Sequence, residues 1–184
     1  MTEHKKGTSM EHKEIVVALD QKGHKIVVIN NIIFHGKKNI YWNKVKQYLM
    51  RYIGEIIEVA DTGELINIDN DFPDEFKGSE DTKRVRGSNA KAKANVVQAI
   101  REIVYIARKV KKMENQKSKS AKKARYGWYR YLTRFAIPVM LEKSIVSYYN
   151  VYLATLIVRK AEDKELYLYD VINIKKEAST PFEL

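Results

Sequence analysis

Between Tyr126 and Lys176 the chain has little freedom in secondary structure, because three runs of β-branched and aromatic residues follow one another there. They span Tyr126 to Met140, Ile145 to Lys160 and Leu166 to Lys175, and the stretch holds eight of the twelve tyrosines. Short charged turns, Glu142 to Ser144 and Glu162 to Glu165, separate them. Three antiparallel strands are the direct reading. Period-two alternation sorts their side chains: Tyr129, Tyr131 and Thr133 point one way, and Trp128, Arg130 and Arg134 the other. In the second run Thr155 and Arg159 share a face and Lys160 opposes them. In the third, Tyr167, Tyr169, Asn173 and Lys175 oppose Leu166, Leu168, Ile172 and Ile174, so a buried aliphatic side and an open tyrosine side are expected.

Upstream, Glu14 to Leu19 and Lys25 to Ile29 flank a glycine turn at Gly23 and read as a hairpin. A short helix follows from Ile40 to Ile53, ended by Gly54, and a second hairpin surrounds Asp61 to Glu64. Asn70 to Ser79 reads as a loop fixed by Pro73. Val96, Ile100, Ile103, Ala107 and Val110 recur at steps of four and three, which predicts one long core helix from Ser88 or Asn89 to about Met113. The expected fold class is α+β: a long helix packed on a C-terminal antiparallel sheet, with an N-terminal hairpin and a short helix. Residues 1–12 read as a disordered leader, 13–177 as a single α+β domain containing a mobile basic linker at 114–124, and 178–184 as a tail.

The formal net charge is +11, but its distribution says more. From Arg108 to Arg125 nine Lys or Arg stand against Glu114 alone, while Glu55 to Asp81 carries ten carboxylates against Lys77. Clustered cations suit a polyanion, because they release its counterions, or they form a solvated face. There is no cysteine, which excludes disulfides, thiolate metal sites and cysteine nucleophiles and fits a reducing compartment. No apolar run is long enough for a bilayer span, so no membrane partner is expected.

Phosphate loops, dinucleotide fingerprints and zinc-protease pairs are missing, and no cofactor is expected. The acidic loop with Asp69, Asp71, Asp74 and Glu75 fits a calcium loop poorly, since Pro73 takes the fifth position and Asp74 the sixth. No metal site is assigned. Histidine is scarce, and His35 is the one outside a leader or turn. Any active site would therefore use Arg, Lys, Tyr and Thr, types that clamp a phosphate. The candidate catalytic residues are Arg130, Thr133, Arg159 and Lys160. The candidate nucleic-acid contacts are Tyr129, Arg134, Tyr169, Lys117, Lys119, Lys122, Lys123 and Arg125. The tyrosines stack bases, or they merely cover a sheet face.

Asn31 to Lys37, Asp71 to Ser79, Ala90 to Ala94, Tyr126 to Tyr131 with Thr133 to Phe135, and Leu166 to Asp170 with Ile174 to Glu177 carry a resemblance. Over Ile26 to Glu177 the chain resembles the third large polyvalent protein-associated domain of phage and mobile-element polyvalent proteins. Such domains look similar to the metal-independent nucleases of the barnase, EndoU, colicin and RelE group, which cleave RNA on a small antiparallel sheet. The resemblance implies a nuclease-like, nucleic-acid-acting protein of mobile-element origin in the bacterial cytoplasm, with RNA a better partner than DNA. This chain departs from the family's pattern: Ser120 and Lys160 stand where histidines are common, Lys123 where an acidic residue is, and Leu132 where an aspartate is. An active metal-independent ribonuclease therefore lacks its expected histidines. The alternative is a catalytically inactive, phage-encoded interaction protein that antagonises a host protein–nucleic acid complex of a defence system such as CRISPR-Cas.

Overall fold

Trp128 to Lys160 doubles back on itself as a long hairpin, and the rest of the sheet is built outward from it. The computed structural model describes residues 14–36, 39–113, 123–143 and 145–177. In chain order the strands are β1 (Ile15–Leu19), β2 (Lys25–Ile29), β3 (Ile56–Glu58), β4 (Leu65–Asn67), β5 (Arg108–Met113), β6 (Trp128–Glu142), β7 (Ile145–Lys160) and β8 (Leu166–Lys176). The helices are α1 (Trp42–Leu49), α2 (Phe72–Gly78), α3 (Glu80–Arg84), α4 (Gly87–Val96) and α5 (Ile100–Tyr105). The expected leader, the linker as far as residue 122 and the tail lie outside the described residues.

All eight strands form one sheet in the order β1-β2-β6-β7-β8-β4-β3, with β5 also paired to β6. The first two hairpins and the three C-terminal strands appear where the local pattern placed them. Two tight turns explain part of this. Asp20 accepts backbone N–H bonds from Lys22 and His24 at 2.8 Å each, and Gly23 takes φ 79°. Gly54, at φ 90°, ends the first helical stretch.

The expected fold class is overturned in two respects. The sheet is a mixed, curled one, because β2 runs parallel to β6 and β4 runs parallel to β8. The long helix does not exist: α4 ends at Val96, a 3-10 turn follows at Val97–Ala99, α5 stops at Tyr105, and Arg108–Met113 is a strand. In a helix Arg108 would sit three and four residues from Lys111 and Lys112, stacking like charges. As a strand the same run completes backbone hydrogen bonds with Trp128 to Leu132, with a register shift between Lys109 and Lys111. Asn70 to Ser79 is not a plain loop either, since α2 starts there with Pro73 in its first turn, where a missing N–H costs nothing.

The core lies between one sheet face and the helices. Tyr131, Phe135, Leu156, Val158 and Leu168 from the sheet meet Leu49, Tyr52, Phe72, Phe76, Val97, Ile100 and Ile103. Polar groups pin the layers. Tyr52 donates its hydroxyl to the Val97 carbonyl at 2.6 Å, and Asn95 accepts from the backbone N–H groups of Ile33 and Phe34. Lys93 is fully buried and donates to Asp81 at 2.7 Å and Asp170 at 3.2 Å, so its charge is neutralised inside the fold.

Candidate functional site

Residues directly opposite on paired strands share a face, so the β6–β7 register sorts the candidate groups. Trp128 faces Arg159, Arg130 faces Ile157, Leu132 faces Thr155 and Arg134 faces Leu153. Arg159 in turn faces Tyr167, and Leu153 faces Lys175. These residues line the second face of the sheet, where Leu132 and Lys175 are exposed and Arg130, Leu153 and Ile157 half-buried. The opposite side carries Tyr129, Tyr131 and Thr133, each under 9% exposed and turned toward the helices.

Most of the cations on the second face are already engaged. Arg134 forms a fork with Glu177, at 2.8 and 2.9 Å, and reaches Asp20 at 2.7 Å. Desolvation raises the Asp20 carboxyl, but the Arg134 bond and the turn's N–H groups outweigh it and hold its pKa down to about 2. Arg159 is 7% exposed, paired with Asp69 and donating to the Lys123 carbonyl at 2.9 Å. Lys123 sits 2.6 Å from Glu75, a bond that raises its pKa, and Arg125 pairs with Glu162 at 2.6 Å. Tyr169 packs edge-on against Trp128 at 4.9 Å, and burial followed by a Glu75 hydrogen bond holds its phenol proton well above the ordinary range.

The proposed catalytic residues are therefore not brought together. Thr133 is buried on the helix side and donates its hydroxyl to the Ile103 carbonyl at 2.8 Å. Lys160 follows Arg159 in β7 and so points to the other face. Arg130 stands two rungs from Arg159 along the ladder, about 7 Å by strand geometry. Tyr129 is buried beneath the Lys109 ammonium, 4.4 Å from its ring centre. Lys117, Lys119 and Lys122, and with them Ser120, lie outside the described residues. His35 is exposed. Among the described residues no cluster of His, Asp or Glu suits a metal ion, and no helix is long and apolar enough to cross a membrane.

One open region gathers chemistry that the sequence did not single out. One edge of β6 is shared: β2 pairs with Phe135 and Ala136, and β5 pairs from Leu132 back to Trp128. The two partners leave a notch at Thr133 and Arg134, and a cleft of about 430 Å³ opens there. Leu132, Leu153 and Ile106 give it an apolar lining, and Tyr105, 47% exposed, stands in its wall. His24, Lys25, Arg108 and Asp61 are also in its lining. The Lys25 ammonium lies 5.6 Å from the Tyr105 ring centre. Among the described residues neither Lys25 nor Arg108 has a carboxylate partner, whereas Lys109 is paired with Glu64 at 2.8 Å. For Arg108 the only local signal was its place in the basic run, since the helical stripe hid the strand. None existed for the cleft itself, because Val27 and Phe135 meet across most of the chain.

Comparison with protein-family models, curated proteins and solved structures returns no match.

Proposed function

We propose that this protein binds single-stranded nucleic acid along the rim formed by β5, the cleft and the adjoining second face of the sheet, without cleaving it. The observation that carries the reading is the cleft: two cations without carboxylate partners among the described residues, Lys25 and Arg108, flank an apolar lining. Arg108 opens β5, which borders the cleft and pairs with β6 outside the main strand order. Such a rim holds a phosphate backbone mainly by releasing counterions. Arg134 and Arg159 take a structural part in this reading, since moving either from its carboxylates would strand buried charge. No cleavage is assigned because the groups that would perform it are dispersed.

The test is fluorescence anisotropy with labelled 12-nucleotide RNA and DNA strands across a salt titration. The expected result is binding that weakens steeply, with a log–log slope of about 2 to 4. Incubation with RNA in EDTA should leave it intact. Binding that is absent or indifferent to salt defeats the proposal, and release of cyclic-phosphate ends defeats its non-cleaving part.

A second reading is an inactive interaction protein that docks a host complex. Met140, Leu141, Ile145 and Val146 favour it, since all four are exposed near the end of the β6–β7 hairpin. Co-purification of a host complex that survives ribonuclease treatment, and is lost when these four are made serine, is its expected signature.

A further inference from the structure

The cleft at the notch is more than a stretch of positive rim. We infer that it is a pocket for one unstacked nucleobase, with the neighbouring phosphate held by Lys25 and Arg108; this rests on the nucleic-acid reading above. Its volume, about 430 Å³, falls within the range of small-ligand pockets, roughly 300–1,000 Å³. Its lining is divided as a nucleotide is divided. Leu132 and Leu153, paired with Thr155 and Arg134 respectively on the ladder, supply an apolar floor with no polar side-chain atom to satisfy. Tyr105 offers an aromatic wall that is half exposed although it closes α5, and its backbone is fixed because its carbonyl accepts the Ala60 N–H at 3.0 Å. Bases stack on such rings whatever their identity.

The charged groups set the orientation. The Lys25 ammonium lies over the Tyr105 ring, so the phosphate anchor and the stacking wall are within the span of one nucleotide. Asp61, also in the lining, accepts hydrogen bonds from exocyclic amino groups, which cytosine, adenine and guanine possess and uracil lacks. Thr133 and Arg134 line the notch but are engaged by Ile103 and by Asp20 and Glu177 respectively. A base paired and stacked in a duplex cannot reach this floor without being extruded. The pocket therefore selects single strands, and among them favours bases bearing an amino group.

The experiment compares a 12-nucleotide cytosine-rich strand, the matching uracil-rich strand and a 12-base-pair duplex against the native protein, Tyr105→Ala, Tyr105→Phe and Asp61→Asn. Melting temperature is measured for each variant. The expected result is single-strand binding at least tenfold tighter than duplex binding. Tyr105→Ala should weaken it roughly tenfold, as loss of one stacking contact does, with duplex binding unchanged and Tyr105→Phe retaining most of the affinity. A 2-aminopurine in the strand should be quenched by the native protein and not by Tyr105→Ala. Asp61→Asn should shrink the cytosine preference. If strands bind with salt dependence but Tyr105→Ala and duplex substitution change nothing, the pocket is refuted while the rim stands. If no strand binds, the underlying reading fails first.

Discussion

Arg134 shows how a side chain that looks poised for a ligand is used by the fold instead. Its direction was legible from strand parity, but its partners were not: Asp20 lies 114 residues away and Glu177 43 residues away. Local patterns carry period and propensity, and ion pairs closed over such distances leave no trace in them. Replacing Arg134 by Ala strands two carboxylates and should cost about 1–3 kcal/mol in urea unfolding at pH 7. The pH dependence is specific. Asp20 titrates near 2 in the folded chain against an ordinary 3.8, so its contribution is complete above pH about 4 and is lost as pH falls toward 2. Arg134→Ala should flatten that acid limb, and an unchanged limb would show that Asp20 is held by its turn alone. Thr133→Val removes the hydroxyl bonded to Ile103 and should lower stability by about 1–2 kcal/mol. Lys93→Met should be costlier, about 3–5 kcal/mol, because Asp81 and Asp170 lose their shared buried counter-charge. Thermal melts of the three variants give the ranking directly.

Elements set by short-range rules were readable. The alternation in β8 placed Leu166, Leu168 and Ile174 in the core but misplaced Ile172, which pairs with Thr155 on the second face while Val171 takes the core position after a register shift; the glycine turns located both small hairpins. Gly54 illustrates the strength of such rules: at φ 90° a side chain is strained even though nothing crowds the space where a Cβ would stand. Gly54→Ala should therefore destabilise by about 1–2 kcal/mol without altering the core, which chemical denaturation can check. The failure at α4 to β5 has an equally definite cause. A stripe of spacing four and three is satisfied as well by two short helices and a 3-10 turn as by one long rod. Val110 was counted into that stripe, yet it is 57% exposed in β5. What decided the matter was the free edge of β6, a partner that no window around residue 110 contains. The candidate site was hidden for the same reason, since Lys25, Tyr105 and Leu132 come from three distant segments.

At the scale of the whole molecule, mixed pairing explains why hairpin-by-hairpin reasoning predicted an antiparallel sheet. Each adjacent pair was read correctly as antiparallel, while the joins between pairs, β2 to β6 and β4 to β8, are parallel and long-range. The surface charge is likewise a global property: the acidic Glu55 to Asp81 region supplies Glu55, Glu64, Asp69 and Glu75 to neutralise Arg101, Lys109, Arg159 and Lys123, pairings that a local count of charges does not contain. Long-range joins also order events in time. As the polypeptide emerges from a ribosome at about 5–20 residues per second, β2 is synthesised several seconds before β6 exists to receive it. The first hairpin must wait with both faces of Ile26 to Ile29 unprotected. A translation stop placed before Tyr126 would leave both early hairpins orphaned, ready substrates for chaperones or for one another.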